Sequence, residues 1–161
     1  MDKLLVPVDF SATAEEALRY AVDWPCAAGR QVVLLHVVDP VDIAELGLVG
    51  LAEYEPRMAD ELRAEAERRL AGLARRHARE GLALTTRVAV DRPWRGIIRT
   101  AIEERVAAIV MGAHGRGALA ETLLGATTEK VVRKAPMTVV VHKPRAVRER
   151  LLRHWRALEA G

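Results

Sequence analysis

The residues best suited to chemistry lie in two glycine-containing segments, 111–117 and 125–128. Gly112, Gly115 and Gly125 follow a Gly-x2-Gly-x9-Gly spacing. Glycine can adopt positive φ and lets a ligand approach the backbone closely. A strand that ends in such a loop and then opens a helix directs several N–H groups, and the positive end of the helix dipole, at one point. The spacing indicates a phosphate-binding loop, although a plain strand-to-helix turn would also use glycines.

Two better-known phosphate loops do not fit this segment. A Walker loop needs lysine directly after its second glycine, and Ala118 stands in that place. The run from Gly115 to Ala120 loosely matches a dinucleotide fingerprint. That fingerprint belongs after a first strand and needs an acidic residue about 20 residues later. Here it follows a late strand, and the next strand ends in His142 and Lys143, so the dinucleotide interpretation is disfavoured.

The elements that must position these residues can be predicted from apolar runs and helix signals. Five apolar segments are typical of buried strands: residues 3–8, 31–38, 82–90, 106–111 and 137–142. Four helices are predicted between them: one capped by Ser11 or Thr13 and ended by Gly29, one over residues 57–80, one that begins at Pro93, and one over residues 127–134. Strands that alternate with helices imply parallel pairing with right-handed crossovers. We therefore predict an α/β fold, a three-layer α/β/α sandwich with a five-stranded parallel sheet.

Three separate segments are expected to meet at one edge of this sheet. In open parallel sheets, ligands bind beyond the carboxyl ends of the strands, where the strand order reverses. Residues 7–9 follow the first strand, residues 37–39 end the second, and the glycine segment follows the fourth. Their convergence on one crevice favours a nucleotide site over a plain turn.

The composition indicates one domain with an aliphatic core. Of the 161 residues, 50% are hydrophobic but only 4% are aromatic. The net charge of +3 is mild and lacks aromatic interleaving, so no nucleic-acid partner is expected. Cys26 is the single cysteine, which excludes an intrachain disulfide and fits a reducing cytoplasm. No apolar stretch is long enough to cross a bilayer, and we expect a cytoplasmic protein.

Four motifs resemble, in the right order, those of the universal stress protein family. They are Val6-Pro7-Val8-Asp9-Phe10-Ser11, Leu34-Leu35-His36-Val37, the glycine spacing, and the closing residues 135–141. The resemblance covers residues 3–143. It implies a Rossmann-like fold similar to that of the adenine nucleotide alpha hydrolases, usually a homodimer, with ATP bound in some members. It divides the chain into a nucleotide-binding domain, residues 1–143, and a basic amphipathic helical tail, residues 144–161.

The resemblance also implies a set of positions for the ligand, which would be ATP with or without Mg²⁺. On the adenine and ribose side these positions are Pro7, Val8, Asp9 and Val37. On the phosphate side they are Met111, Gly112, Gly115, Arg116, Gly125, Ala126, Thr127 and Thr128. Arg116 beside the glycines either pairs with phosphate or is simply solvated. No catalytic residue and no metal-binding residue is assigned.

Ala126 departs from the family motif, which has serine or threonine directly after its last glycine. A hydroxyl donor to phosphate is lost there, while the backbone N–H remains. Thr127 or Thr128 would supply a hydroxyl from the next positions. One neutral hydrogen bond contributes about 0.5–1.5 kcal/mol, so we expect affinity to weaken by about tenfold rather than vanish.

Several side chains allow a plainer interpretation. Asp9 could serve only as a helix cap, but Ser11 and Thr13 compete for that role, which slightly favours a ligand role. His114 has no nucleophile or acid partner identifiable in the sequence, so we expect it to shape the loop. His36 lies in an apolar strand and is predicted to be a satisfied core residue.

The functional prediction is a nucleotide-dependent stress-response regulator or switch. The alternative is a stress-associated dimeric interaction module that binds no nucleotide, with Ala126 marking the loss. An enzyme is not expected beyond slow ATP hydrolysis, because no clear base, nucleophile or metal-holding acid pair is evident.

The C-terminal third suggests an association surface. The fifth strand, from Thr138 to Val141, would be an apolar edge if it is last in the sheet, and pairing with a second copy across a two-fold axis would cover it. In the tail, Val147, Leu151, Trp155 and Leu158 share one helical stripe among arginines. We expect this helix to pack on its own dimer; a membrane-surface helix and a docking helix for a partner are the alternatives.

Overall fold

The computed structural model describes residues 3–23, 30–40, 55–115 and 124–159. The elements, in chain order, are β1 (Lys3–Pro7), α1 (Ala12–Asp23), β2 (Arg30–Val38), α2 (Glu55–His77), β3 (Leu82–Val90), α3 (Pro93–Glu103), β4 (Ala108–Gly112), α4 (Ala126–Lys134), β5 (Thr138–His142) and α5 (Arg145–Glu159). The predicted alternation of strands and helices is confirmed. Cys26 and Gly29, and most of the segment between β2 and α2, lie outside the described residues.

The five strands form one sheet in the order β3-β2-β1-β4-β5, and every neighbouring pair is parallel. Val6 of β1 pairs in register with Leu34 of β2, and Ile109 of β4 pairs with Val139 of β5. The chain winds outward from β1 to β3 and then returns to the other side of β1 at β4. The strand order therefore reverses between β1 and β4, and the carboxyl ends of these two strands mark the switch point.

Helices cover both faces of the sheet, because strand residues alternate between the two faces. On one face Val6 and Leu34 pack with Leu18 of α1 and Leu70 of α2. On the other face the core is built from strand residues and from α3 and α4; its buried members include Leu5, Leu35, Ile97, Ile109 and Val131. The predicted three-layer α/β/α sandwich is confirmed.

The helix boundaries differ from the predicted ones by a few residues. Ser11 caps α1, since its Oγ accepts a hydrogen bond from the Ala14 N–H at 3.2 Å. Thr13 instead packs against Gly112. Helix α2 begins at Glu55 and ends at His77, three residues before the predicted end. Gly81, with φ of +76°, makes the turn into β3.

The C-terminal part of the structure consists of an edge strand and an exposed helix. Strand β5 is an edge strand, as the sequence predicts for a last strand, and β3 forms the opposite edge. Helix α5 follows β5 directly, and none of its residues is buried. None of the described helices combines the length and the apolar character that a membrane span requires.

Candidate functional site

A cavity of about 620 Å³ opens at the carboxyl ends of β1, β2 and β4, at the switch point. This volume lies within the range of small-molecule sites, about 300–1,000 Å³. The predicted site residues with described positions all line it, together with residues from α1, α3 and α4. The lining comprises Pro7, Val8, Asp9, Ala14, Leu35, His36, Val37, Asp39, Pro93, Ile97, Met111, Gly112, His114, Gly115, Leu124, Gly125, Ala126, Thr127 and Thr128. Arg116 lies outside the described residues.

Asp9 lines the cavity and also organises the turn into α1. Its Oδ1 accepts hydrogen bonds from the Ser11 backbone N–H, at 3.0 Å, and from the Ser11 hydroxyl, at 2.6 Å. The same hydroxyl accepts from Ala14, so Ser11 is the cap and Asp9 holds the cap in place. Facing the cavity and supporting the helix are therefore compatible roles for this carboxylate.

Phe10 connects this turn to two other elements. Its φ is +63°, a left-handed conformation that costs a residue other than glycine about 1–3 kcal/mol. Its ring centroid lies 4.7 Å from that of His36 in β2, with the two planes tilted by 34°. The Arg69 guanidinium of α2 lies over the Phe10 ring, with Cζ 3.9 Å from the centroid.

His36 differs in part from its prediction. Its Nδ1 lies 2.7 Å from the Val8 carbonyl oxygen, so this nitrogen carries the proton and donates it to that acceptor. The ring is therefore satisfied, as predicted. It is partly exposed and lines the cavity, however, because β2 reaches the crevice at this position.

None of the three motif glycines has a positive φ, and two of them are needed for close packing. A Cβ on Gly112 would lie 2.6 Å from Cγ2 of Thr13 and 3.2 Å from its backbone oxygen. A Cβ on Gly115 would lie 2.7 Å from Oδ2 of Asp9. A Cβ on Gly125 would meet nothing closer than 3.5 Å. Gly112 thus lets α1 approach β4, Gly115 leaves room for Asp9, and Gly125 keeps space that none of the described residues fills.

The N-terminus of α4 faces the cavity. Gly125 is its N-cap and contributes no side-chain capping bond, so the first N–H groups of the helix are left for a ligand or for water. Thr128 Oγ1 donates to the Gly112 carbonyl at 3.0 Å and is buried. Because a hydroxyl has one proton, Thr128 is not the phosphate donor that would replace a serine at Ala126. Thr127, which is half-buried, is the remaining candidate for that phosphate donor.

The charges around the cavity are unevenly distributed. Asp9 and Asp39 are acidic, and none of the described lining residues is lysine or arginine. No group of three or more histidine, cysteine, aspartate or glutamate side chains suited to a metal occurs within the described ranges. An anionic ligand would therefore depend on backbone N–H groups, on the α4 dipole or on a cation bound with it.

Sequence reasoning missed part of the wall. Pro93 and Ile97 of α3 line the cavity, although the sequence indicates only a helix start at Pro93 and identifies neither residue as a ligand contact. The missing signal was topological. Every helix that follows a parallel strand starts at the carboxyl edge of the sheet, so the start of α3 belongs to the same edge as the glycine loop.

A doubly wound parallel sheet with a glycine-lined crevice at its switch point defines a class of α/β domains that bind ligands beyond their strand ends. The family model for the universal stress protein family matches residues 1–143. The chain is also 34% identical, over 152 residues, to universal stress protein MJ0577 of Methanocaldococcus jannaschii, with 88% of this chain and 94% of that protein covered. The chain therefore belongs to the universal stress protein family.

Solved structures agree with this assignment. A structure of MJ0577 superposes with a TM-score of 0.80 at 33% identity and covers 89% of this chain and 96% of that chain. A universal stress protein from Archaeoglobus fulgidus in complex with dAMP matches with a TM-score of 0.55 at 23% identity, and one in complex with cAMP with a TM-score of 0.63 at 18% identity. For these two, which cover 88% of this chain and 96% of theirs, the likeness concerns the fold.

Some relatives are longer. The chain is 32% identical, over 138 residues, to universal stress protein Rv2623 of Mycobacterium tuberculosis and covers 86% of its own length but 44% of that protein.

Proposed function

We propose that this chain binds an adenine nucleotide, ATP in particular, in the crevice and acts as a nucleotide-dependent switch in the stress response. The observation that carries the proposal is the convergence of three separate segments on one cavity. The end of β1, the end of β2 and the glycine loop with the start of α4 all line a space of about 620 Å³. Two family structures in complex with dAMP and cAMP support an adenine nucleotide as the ligand class.

The walls of the cavity suit the parts of a nucleotide. Val8, Val37 and Ile97 offer apolar surface for a flat base. Asp9 offers a carboxylate that can accept hydrogen bonds from ribose hydroxyls. The N-terminus of α4 offers backbone N–H groups and a positive dipole end for phosphate. The apolar side chains thus suit the base, the carboxylate suits the sugar, and the N–H groups suit the phosphate.

The triphosphate is the part of the ligand that the described wall supports least. Asp9 and Asp39 are acidic, and Ala126 has no hydroxyl. Mg²⁺ bound to the nucleotide would offset the carboxylates, and Thr127 would add one hydroxyl. We therefore propose moderate affinity, with Mg-ATP preferred over free ATP.

The nucleotide would act as a switch rather than as fuel. A ligand shifts a conformational equilibrium by its differential affinity for the two states. Among the described lining residues no pair of acid and base is arranged around a nucleophile, so we propose at most slow hydrolysis.

We also propose that the chain forms a homodimer through β5. An apolar edge strand offers unpaired backbone groups and favours association. Pairing two β5 strands across a two-fold axis would satisfy these groups and cover Val139, Val140 and Val141, each of which is partly exposed in one chain.

The deciding experiment is to purify the protein from cells, denature it and identify released small molecules by mass spectrometry. Calorimetry with Mg-ATP, ATP and AMP would follow, on the wild type and on Gly115→Val, a variant designed to lose binding. Its side chain would displace the Asp9 carboxylate, so the heat of binding should disappear in a protein that still unfolds cooperatively. Adenine nucleotide near one per chain would support the proposal.

The alternative is an interaction module that binds no nucleotide. It is favoured by Ala126 and by the Thr128 hydroxyl, whose proton is already donated to Gly112. A folded protein that releases no nucleotide and gives no heat with Mg-ATP would contradict nucleotide binding and support this alternative.

A further inference from the structure

We infer that the side chains of Arg69, Phe10 and His36 form a stack that holds Asp9 in its binding position. Arg69 is therefore a positioning residue for the crevice, although it lies on α2. The inference rests on the proposed function for its ligand-binding consequence. Its structural part, that the stack fixes the turn between β1 and α1, can be tested without any ligand.

The first step of the argument is the backbone of Phe10. Its φ of +63° is unfavourable for a residue with a side chain. Such a conformation persists only where the surroundings hold it, and it occurs preferentially at functional sites. Phe10 directly follows Asp9, which lines the crevice, so the unusual turn lies next to the candidate site.

The second step is what holds Phe10. The His36 ring, 4.7 Å away, is itself fixed by its hydrogen bond to the Val8 carbonyl at 2.7 Å. The Arg69 guanidinium over the ring adds a cation–π contact at 3.9 Å. The helix position of Arg69 is fixed because the next residue of α2, Leu70, is completely buried. The Phe10 ring is therefore held by two elements, β2 and α2, that are distant from it in sequence.

The third step is the consequence for Asp9. With the stack intact, the Asp9 carboxylate accepts two hydrogen bonds from Ser11 and lies against Gly115. If the Phe10 ring is released, its backbone can relax to negative φ, which rotates the Phe10–Ser11 peptide relative to the Asp9–Phe10 peptide. The Ser11 N–H then loses its acceptor, and the carboxylate leaves the position from which it would meet the ligand.

The test compares Arg69→Gln with Arg68→Gln in the full chain. Arg68 is the neighbouring arginine on α2, and its guanidinium pairs with Glu65 at 2.6 Å. The first readout is hydrogen exchange of the Ser11 amide by NMR, with the Val33 amide in the middle of the sheet as a measure of global opening. The second readout is the calorimetric affinity for Mg-ATP.

We expect Ser11 exchange to become about two- to fivefold faster in Arg69→Gln, the factor that corresponds to one exposed cation–π contact. Val33 exchange should not change by the same factor, and Arg68→Gln should resemble the wild type. Affinity should fall by a similar factor in Arg69→Gln. Arg69→Lys should recover part of both losses because it keeps a cation, and Phe10→Leu should lose more because both ring contacts disappear.

The possible failures are distinguishable. Equal Ser11 exchange in Arg69→Gln, Arg68→Gln and wild type would overturn the inference, whatever the protein binds. Faster Ser11 exchange with unchanged nucleotide affinity would overturn the positioning role. A wild type that binds no nucleotide, with Ser11 exchange still faster in Arg69→Gln, would contradict the proposed function and support the stack as the device that fixes the turn.

Discussion

Ala126 is the residue at which this chain departs most from a phosphate loop of its family. It lies exposed in the first turn of α4, where a hydroxyl would face the crevice. The Thr128 hydroxyl cannot compensate because it donates to Gly112. We therefore expect the missing hydroxyl at Ala126 to weaken the proposed nucleotide binding by about tenfold rather than abolish it.

We predict that Ala126→Thr binds Mg-ATP more tightly than Ala126→Val. The two side chains have nearly the same shape, and only threonine can donate to phosphate. One hydrogen bond of about 0.5–1.5 kcal/mol corresponds to roughly two- to tenfold in the dissociation constant. Calorimetry on both variants measures it. Equal affinities would mean that phosphate does not lie at the start of α4.

Gly112 and Gly125 share a motif but serve different purposes, which predicts different costs. Gly112→Ala should destabilise the fold by about 1–3 kcal/mol, because its Cβ would overlap Thr13. Gly125→Ala should change stability by less than about 0.5 kcal/mol, since its φ is −69° and the nearest atom is 3.5 Å away. Urea unfolding of both variants checks this. A strongly destabilised Gly125→Ala would contradict the open space assigned to that glycine.

Among the elements, Glu104, the C-cap of α3, links that helix with β1 and β3. It follows α3, and its two oxygens pair with Lys3 of β1 at 2.9 Å and with Arg87 of β3 at 2.6 Å. Hydrogen bonds from Lys3 and then from Arg87 hold the pKa of the Glu104 carboxyl below its ordinary value. The carboxylate therefore connects β1 and β3, which are not neighbours in the sheet.

The lowered pKa predicts how stability depends on pH. A carboxyl whose pKa is lower in the folded than in the unfolded state stabilises the fold above its ordinary pKa, about 4.5, and loses this contribution as the pH falls through the folded value. We expect Glu104→Gln to be less stable than wild type by about 1 kcal/mol at pH 7, with the gap closing toward pH 3.

The matched control for this prediction is Glu103→Gln. Glu103 is the adjacent carboxyl, it is largely exposed, and its nearest cation is Arg99 at 3.8 Å. Chemical unfolding of both variants at several pH values separates the two cases. A gap between Glu104→Gln and wild type that stays constant from pH 7 to pH 3 would show that the carboxylate charge is not what stabilises the link.

For the whole molecule, the edge strand β5 and the exposed helix α5 are described elements suited to association. The exposed fractions of Leu152, Trp155 and Leu158 are 54%, 62% and 60%. Residues of this size are rarely exposed side by side without a partner surface. The family match ends at residue 143, so α5 lies outside the matched domain.

We predict that the chain is a dimer in solution and that α5 contributes to it. Light scattering should give twice the chain mass of 17.7 kDa. Trp155→Glu should weaken the dimer, because it places a charge on the apolar side of the helix. Ala157→Glu adds the same charge on the opposite side and should leave the dimer intact. If both variants dimerise like the wild type, α5 serves a different partner surface.

Much of the architecture was predictable because it depends on local patterns. The five strands were recognisable as apolar runs, and the alternation with helices required parallel pairing. The segments that end β1, β2 and β4 could be placed at one edge because parallel strands all point the same way. Asp9, Val37 and the glycine loop are therefore predictable from the sequence as parts of one crevice.

The identity of the elements, and the strand ends that carry chemistry, can be read from the amino-acid sequence alone. These follow from burial patterns and from residues close together along the chain. Three features become visible only in the folded chain. The Thr128 hydroxyl donates its hydrogen bond to the Gly112 carbonyl, Phe10 adopts a left-handed backbone between His36 and Arg69, and α3 forms part of the cavity wall. Each of these depends on atoms brought together from distant parts of the chain, and the packing that does so leaves no periodic signal in the sequence.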